Sequence, residues 1–323
     1  MNKLIKILIV LLFVAAIGFG AYRGMVRNKA VKQSNANMGV SFADMNKELV
    51  SKYSLAEDEQ IKNVLLVGSD KRGAETGYGR ADAIIVASVD KKNGQLKLTN
   101  LIEDSYMEVP GYGKNKISMA YSMGGISLLY ETVAANFGIK LDNYVVYEFN
   151  NLVNSIDKIG GVQVELNDFE VSYMQLHYQN VVNQVQTGPF ILNGTQALAY
   201  VRIKQDAAGD FGRAVRLRNV ISSAYSDLTM KSVDDLRDLV NVLLDGASTD
   251  ISGDDARGYL ASVVALSTAP LKAKTLPDED MYQATAKKGQ TVFVVDTDKL
   301  MEAAHDYIYN PIESGDIAVS SDE

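Results

Sequence analysis

The chain has 323 residues, 47% of them hydrophobic and 22% charged, which is enough for one large domain or two small ones with a sizeable core. It contains no Cys, which excludes disulfides, zinc-thiolate sites and thiol nucleophiles, and neither His177 nor His305 has a second His at metal-ligand spacing. The first 33 residues carry six basic and no acidic side chains, so the body beyond them has 26 basic against 40 acidic residues, a net charge of −14 that repels nucleic acid.

An uninterrupted apolar run from Ile7 to Tyr22 opens the chain and is close to the minimum for one transmembrane helix, so residues 1–33 read as a membrane anchor with its flanks. A cleaved signal peptide is the competing reading. Lys3 and Lys6 precede the run while Arg23, Arg27, Lys29 and Lys32 follow it, so the charge bias does not by itself orient the protein. Residues 34–58 are polar with weak helical spacing and read as a stalk or linker.

The body, residues 59–313, begins with "KNVLLVGSD" and continues through "ADAIIVASVD", "GQLKLTNLI", "DNYVVYEF" and "GGVQVEL", runs of strand length rich in Val, Ile, Leu and Tyr that are expected in one sheet. Helical spacing lies between them: Ile126, Leu129, Tyr130, Val133 and Phe137 lead to a stop at Gly138, and "NNLVNSIDKIGG" repeats the device. This alternation predicts an α/β fold, with helices on the faces of the sheet. Two helices are then expected, "SVDDLRDLVNVLLDG" and "SGDDARGYLASVVALS", followed by a strand at "QTVFVVD" and a helix at "TDKLMEAAHDYIY". With no repeat or linker after residue 60, one mixed domain is the simplest reading, ending in an acidic tail at 314–323.

Three constellations carry chemistry. In "YVRIKQDAAGDFGRAVRLRNV", Arg202 and Lys204 share one side if extended, Asp210 stands at an N-cap position, and Arg213 and Arg216 share a helix face with Leu217. Such a cluster in an acidic body suits a phosphate anion; a solvated basic helix face is the alternative. In "GYGRADAIIVASVD", Arg80 and Asp82 stand at a strand mouth, as site residues or as a plain ion pair. In "NLIEDSYMEVPGYGKNKISMAYSMGG", Asp104 closes a strand and Lys116 precedes a helix ending at Gly124 and Gly125; Asp82 and Asp104 could share a hard cation such as magnesium.

Together these motifs, with "LLVGSDKR", "KISMAYSMGG", "DKIGGVQVEL", "LNGTQALAYVRIK" and "GDFGRAVR" in order, resemble the LytR-CpsA-Psr cell-envelope proteins. The resemblance implies a membrane-anchored extracytoplasmic domain built as a three-layer α/β/α sandwich with a mixed central sheet, single-pass in the cell membrane. It implies a phosphotransferase that moves a glycopolymer of teichoic acid or capsule type from a polyprenyl-pyrophosphate carrier to peptidoglycan. Asp82 and Asp104 would be catalytic carboxylates on the Mg2+ side, and Arg80, Lys116, Arg202, Lys204, Arg213 and Arg216 pyrophosphate ligands. Arg202 would also act in catalysis, and Asp210 would orient the arginines. The carrier tail would lie in an apolar groove walled by residues such as Ile126, Leu129, Val133, Phe149, Leu152 and Ile156. Three departures from the family pattern stand out: Glu103 replaces a cation, Lys204 an arginine, which is mild because the charge is kept, and Leu217 a glutamine; Glu103 and Leu217 favour an alternative, a catalytically reduced paralogue that binds the lipid-linked polymer or modulates other transferases. Glu103 is expected to point to solvent or to a peripheral lysine.

Overall fold

The computed structural model describes residues 42–70, 78–148, most of 153–203, isolated positions between 212 and 223, most of 247–266, and 271–312 apart from 288. The apolar run at 7–22, the 232–246 helix, the tail and the side chains of Lys204, Asp210, Arg213, Leu217, Phe149 and Leu152 lie outside these residues. No helix among the described residues is long and apolar enough to cross a membrane. The described chain divides into two compact units, one formed by Glu148–Ala247 and the other by the residues before and after it.

Twelve strands are described: β1 (Ile61–Asp70), β2 (Arg80–Asp90), β3 (Gln95–Leu101), β4 (Ser105–Val109), β5 (Gly113–Lys116), β6 (Asn143–Glu148), β7 (Val162–Leu166), β8 (Gly188–Leu192), β9 (Ala247–Thr249), β10 (Leu271–Leu276), β11 (Tyr282–Lys287) and β12 (Gln290–Val295). The described helices of defined extent are α1 (Phe42–Tyr53), α2 (Ile117–Phe137), α3 (Asp168–His177), α4 (Gly194–Val201) and α5 (Thr297–Tyr309). The fold is α/β with mixed sheets. A six-stranded sheet runs β10-β3-β2-β1-β6-β9 and a four-stranded one β11-β12-β4-β5. In the first, β2 is antiparallel to β1 and β3 while β10 lies parallel to β3; in the second, β12 is antiparallel to β11 and parallel to β4.

The larger unit is organised by α2, which packs on β2 and β4. Its Leu129, Tyr130, Val133 and Phe137 share one core with Phe42 and Leu49 of α1 and with Leu300, Ala304 and Ile308 of α5. Residues 42–53, within the stretch expected to be a stalk, thus form a docked helix, with the Phe42 ring edge-on to Tyr130 at 5.7 Å. Helix α2 ends as its sequence predicts. Gly138 adopts φ 63° and returns its N–H to Ala134, and a side chain there would meet Met301 Sδ at 2.8 Å, because α5 lies directly on the cap. The Gly124–Gly125 pair, expected to end a helix, instead interrupts one: the two residues leave helical geometry (φ −143° and 64°) and α2 resumes.

In the smaller unit, "GGVQVEL" does not join the main sheet as expected; among the described residues β7 pairs with β8, as an antiparallel hairpin. Helices α3 and α4 each begin at an Asn in a reciprocal capping box, Asn167 with Glu170 and Asn193 with Gln196. The second box places Tyr200 and Val201 in the last turn of α4, so "YVRIK" does not enter as a strand, and Arg202 is the helical C-cap (φ −86°, ψ −4°). The spacing that would have aligned Arg202 with Lys204 on one strand face therefore does not apply.

A buried charge pair fastens α5 to the main sheet. Lys97 Nζ lies 2.7 Å from Asp90 Oδ2 with both side chains wholly removed from water, and it also donates to the carbonyls of Ile308 (2.9 Å) and Asn310 (2.7 Å) at the end of α5. Burial pulls the lysine pKa down, against the attraction of Asp90. We predict that Lys97→Met, which strands Asp90 and two carbonyls, lowers stability by about 3–5 kcal/mol, read as a shift of the urea midpoint. A shift within error of wild type would contradict this role.

Candidate functional site

The antiparallel ladder between β2 and β3 ends with Ile84 opposite Leu101. The residues beyond it, Arg80 to Ala83 on one strand and Ile102 to Asp104 on the other, therefore lie at adjoining strand ends. A tight turn, with the Ser105 N–H bonded to the Ile102 carbonyl at 3.0 Å, sends the chain from β3 into β4, and the β4–β5 hairpin brings back Lys116, paired with Tyr106. In this way sequence positions 80, 82, 104 and 116 meet at one end of the main sheet, within the larger unit.

Each carboxylate there faces a cation. Arg80 Nε is 3.6 Å from Asp82 Oδ1, with the arginine half exposed and the aspartate side chain 3% exposed. Lys116 Nζ is 2.8 Å from Asp104 Oδ1, both partly buried. An exposed arginine anchored by a buried aspartate is held in place while keeping donor positions toward solvent. Glu103 does not point to solvent: it is 7% exposed and engaged, because the turn folds it inward, and its carbonyl accepts the Ser118 N–H at the start of α2 (3.2 Å).

The break in α2 contributes an unexpected neighbour. Tyr78 leans into the gap at Gly125, where a Cβ would lie 2.6 Å from the phenol ring, and packs on Tyr121 with ring centroids 5.6 Å apart. Ser122 Oγ holds the Gly79 carbonyl at 3.0 Å. Gly125 thus serves both a positive φ and a close approach, and Tyr78, half exposed, stands two residues from Arg80. Of the residues expected to wall an apolar groove, Leu129 and Val133 are completely buried in packed core, and Ile126 and Ile156 nearly so.

In the smaller unit, Arg202 is half-buried at the end of α4 and Arg216 is 4% exposed. Arg216 Nε donates to Glu170 Oε1 at 2.8 Å and Nη1 to the Ile203 carbonyl at 3.0 Å, with the Tyr200 ring 5.9 Å away. Part of its donor fork is thereby committed to holding α3, α4 and the arginine segment together.

Asp250 went unnoticed in the sequence. It follows β9, half-buried near Tyr130, Tyr144 and Tyr259, and accepts the Tyr144 N–H at 2.8 Å. Desolvation pushes its carboxyl up to about 7, against the hydrogen bonds from Tyr144 and Asn143. No motif marks such a residue, since the shift arises from packing alone. As for metals, among the described residues no three or more His, Cys, Asp or Glu gather in a group that could hold one. Two hard carboxylates at adjoining strand ends nonetheless suit magnesium that arrives on a phosphate, because that ion needs only one or two protein oxygens.

Comparison with known proteins adds three relatives. The model of the LytR_cpsA_psr family matches residues 25–307. An Enterococcus faecalis protein named polyisoprenyl-teichoic acid–peptidoglycan teichoic acid transferase TagU is 30% identical over 254 residues, covering 77% of this chain and 78% of that one. The regulatory protein MsrR of Staphylococcus aureus is 29% identical over 254 residues, 76% and 75% of the two chains. Among solved structures, YwtF (TagT) with bound octaprenyl pyrophosphate lipid superposes with a TM-score of 0.55 at 21% identity, covering 78% of this chain and 93% of that one, which is a likeness of fold.

The raised Asp250 carboxyl makes stability depend on pH. The native state keeps a proton that the unfolded chain loses near pH 4, so this contribution is complete below pH 4 and is lost as pH rises through about 7. Asp250→Asn should therefore gain in urea midpoint relative to wild type between pH 4 and pH 7. A wild-type-to-variant difference that stays flat over that window would contradict the assignment.

Proposed function

Because this chain belongs to the LytR-CpsA-Psr family, we propose that it transfers a glycopolymer from a polyprenyl-pyrophosphate carrier to peptidoglycan, the class of reaction in the TagU relative's name and the class of carrier bound in the TagT structure. The observation that carries this reading is the pairing of Arg80 with Asp82 and of Lys116 with Asp104 at adjoining strand ends. Two cations oriented by carboxylates can turn their remaining donors to phosphate oxygens while keeping those partners, so that no buried carboxylate is left unpaired.

In the proposed reaction a hydroxyl of the acceptor attacks the phosphorus that carries the polymer. The new P–O bond forms as the bond to the bridging pyrophosphate oxygen breaks, and polyprenyl phosphate leaves. Arg80 and Lys116 stabilise the growing negative charge. Asp82 or Asp104 takes the hydroxyl proton. Those two aspartates would hold Mg2+, which when bound supplies further neutralisation of the pyrophosphate charge. The apolar run at 7–22 would anchor the domain outside the cytoplasm, where teichoic acid or capsule-type polymers meet peptidoglycan.

A second reading, binding of the lipid-linked polymer without transfer, draws on one observation: Glu103, which stands where the family resemblance implies a cation, is buried beside Asp104. One assay separates the two. The full-length chain in detergent, given a prenyl-pyrophosphate saccharide, magnesium and peptidoglycan, is predicted to form a covalent polymer–peptidoglycan product. Asp82→Asn and Arg80→Ala should each slow it by roughly 10²–10³-fold while remaining folded. Binding of the donor with no product, beside an active relative, would favour the second reading and defeat the first.

A further inference from the structure

The break in α2 builds a seat for one exposed aromatic ring. A Cβ placed on Gly125 would lie 2.6 Å from Tyr78 Cζ and 2.8 Å from both Cε1 and Cε2. An approach along the ring plane would meet the phenol oxygen first or leave Cε1 and Cε2 at unequal distances, so the backbone at Gly125 lies beneath a face of the ring. Tyr121, one turn earlier on the same helix and 8% exposed, meets that ring at a 60° tilt with centroids 5.6 Å apart. Both contacts come from α2, and Tyr78 is nonetheless 50% exposed, so the face turned away from the helix is the one open to water.

The seat is set without a ligand. Ser122 Oγ donates to the Gly79 carbonyl at 3.0 Å, which fastens the chain directly after Tyr78 to α2, and Gly79 is itself buried. Gly125 is held at φ 64°, a conformation that glycine adopts far more readily than other residues, so the notch is written into the sequence. A flat ring presented from a fixed support has little ordering entropy left to lose when something stacks on it.

An exposed ring alone is ordinary; its position and its wetness select an occupant. Tyr78 stands two residues before Arg80, at most about 7 Å of chain, and Arg80 is one of the two strand-end cations proposed to hold the pyrophosphate. On a lipid-linked glycopolymer, the groups next to the pyrophosphate are the first isoprene unit on one side and the first sugar on the other. An isoprene laid on a half-exposed ring would keep much of its apolar surface in water and gain little. A pyranose suits the same place, because its C–H face covers the phenol ring while its rim of hydroxyls stays hydrated.

We propose that Tyr78 is the platform for the sugar bonded directly to the donor's pyrophosphate. It is a specificity residue that, by fixing this ring, also orients the phosphorus carrying the polymer. The platform rests on the transfer reading above, since a pyrophosphate held by Arg80 is what brings a sugar to Tyr78.

The test compares two ligands by calorimetry on the full-length chain in detergent: farnesyl pyrophosphate and farnesyl-pyrophosphoryl N-acetylglucosamine. Tyr78→Leu, which keeps apolar cover over Gly125 without a ring face, is expected to weaken the sugar-bearing lipid about 10-fold and to leave the bare pyrophosphate at its wild-type affinity. Tyr78→Phe, which keeps the ring, is expected to match wild type on both. An equal loss for the two lipids in Tyr78→Leu would assign the ring to the isoprene or to packing alone, and an unchanged affinity for the sugar-bearing lipid would leave the ring without an occupant; either result overturns the platform. Wild type that binds neither lipid defeats the transfer reading and the platform with it, whereas wild type that binds both, with no selective loss in Tyr78→Leu, defeats the platform alone.

Discussion

The antiparallel register between β2 and β3 is the constraint on which the candidate site depends. Because it stops at Ile84 and Leu101, the chain leaves the sheet at two adjoining strand ends. It carries Arg80 and Asp82 on one, and on the other the turn that delivers Asp104 into β4. The β4–β5 hairpin then supplies Lys116 at the lip of α2. Moving this register by one residue would exchange the faces of the strands and separate the two ion pairs, so the stability of the sheet and the chemistry of its end are set by the same hydrogen bonds. The buried Lys97–Asp90 pair, on the same two strands, holds α5 over the sheet and keeps that register from slipping.

Local signals made much of this architecture legible. Strands β1, β2 and β6 follow from runs rich in Val, Ile, Leu and Tyr, β3 from Leu alternating with polar residues, and α5 from a capped helical pattern that begins after Asp296. The end of α2 at Gly138 needed only the left-handed preference of glycine. Long-range choices were not legible. The pairing of β7 with β8 rather than with the main sheet has no local marker. The extended conformation considered for "YVRIK" gives way to the capping box of Asn193 and Gln196, which starts a helix that runs through Val201.

The site divides along the same line. Arg80, Asp82, Asp104 and Lys116 stand out in the sequence as charged residues at the ends of apolar runs, and the structure joins them as two ion pairs at adjoining strand ends. Arg216 was read as a ligand from its type, yet its guanidinium is largely bound to Glu170 and to a backbone carbonyl, a role that only packing reveals. Tyr78 and Asp250 escaped notice for the same reason: one matters through its approach to Gly125, the other through removal from water. Burial of Glu103 likewise depends on how tightly the 102–105 turn closes, which composition does not encode.

The central claim is that the strand-end cations recognise a pyrophosphate on a lipid. It is tested most directly by calorimetric titration of the full-length chain in detergent with a short prenyl pyrophosphate, the matching prenyl monophosphate and the prenyl alcohol. The account predicts affinities in that descending order, and predicts that Lys116→Met with Arg80→Met brings the pyrophosphate close to the alcohol while leaving the alcohol itself unchanged. Equal binding of all three lipids by wild type, or a pyrophosphate preference that survives the double substitution, would contradict it.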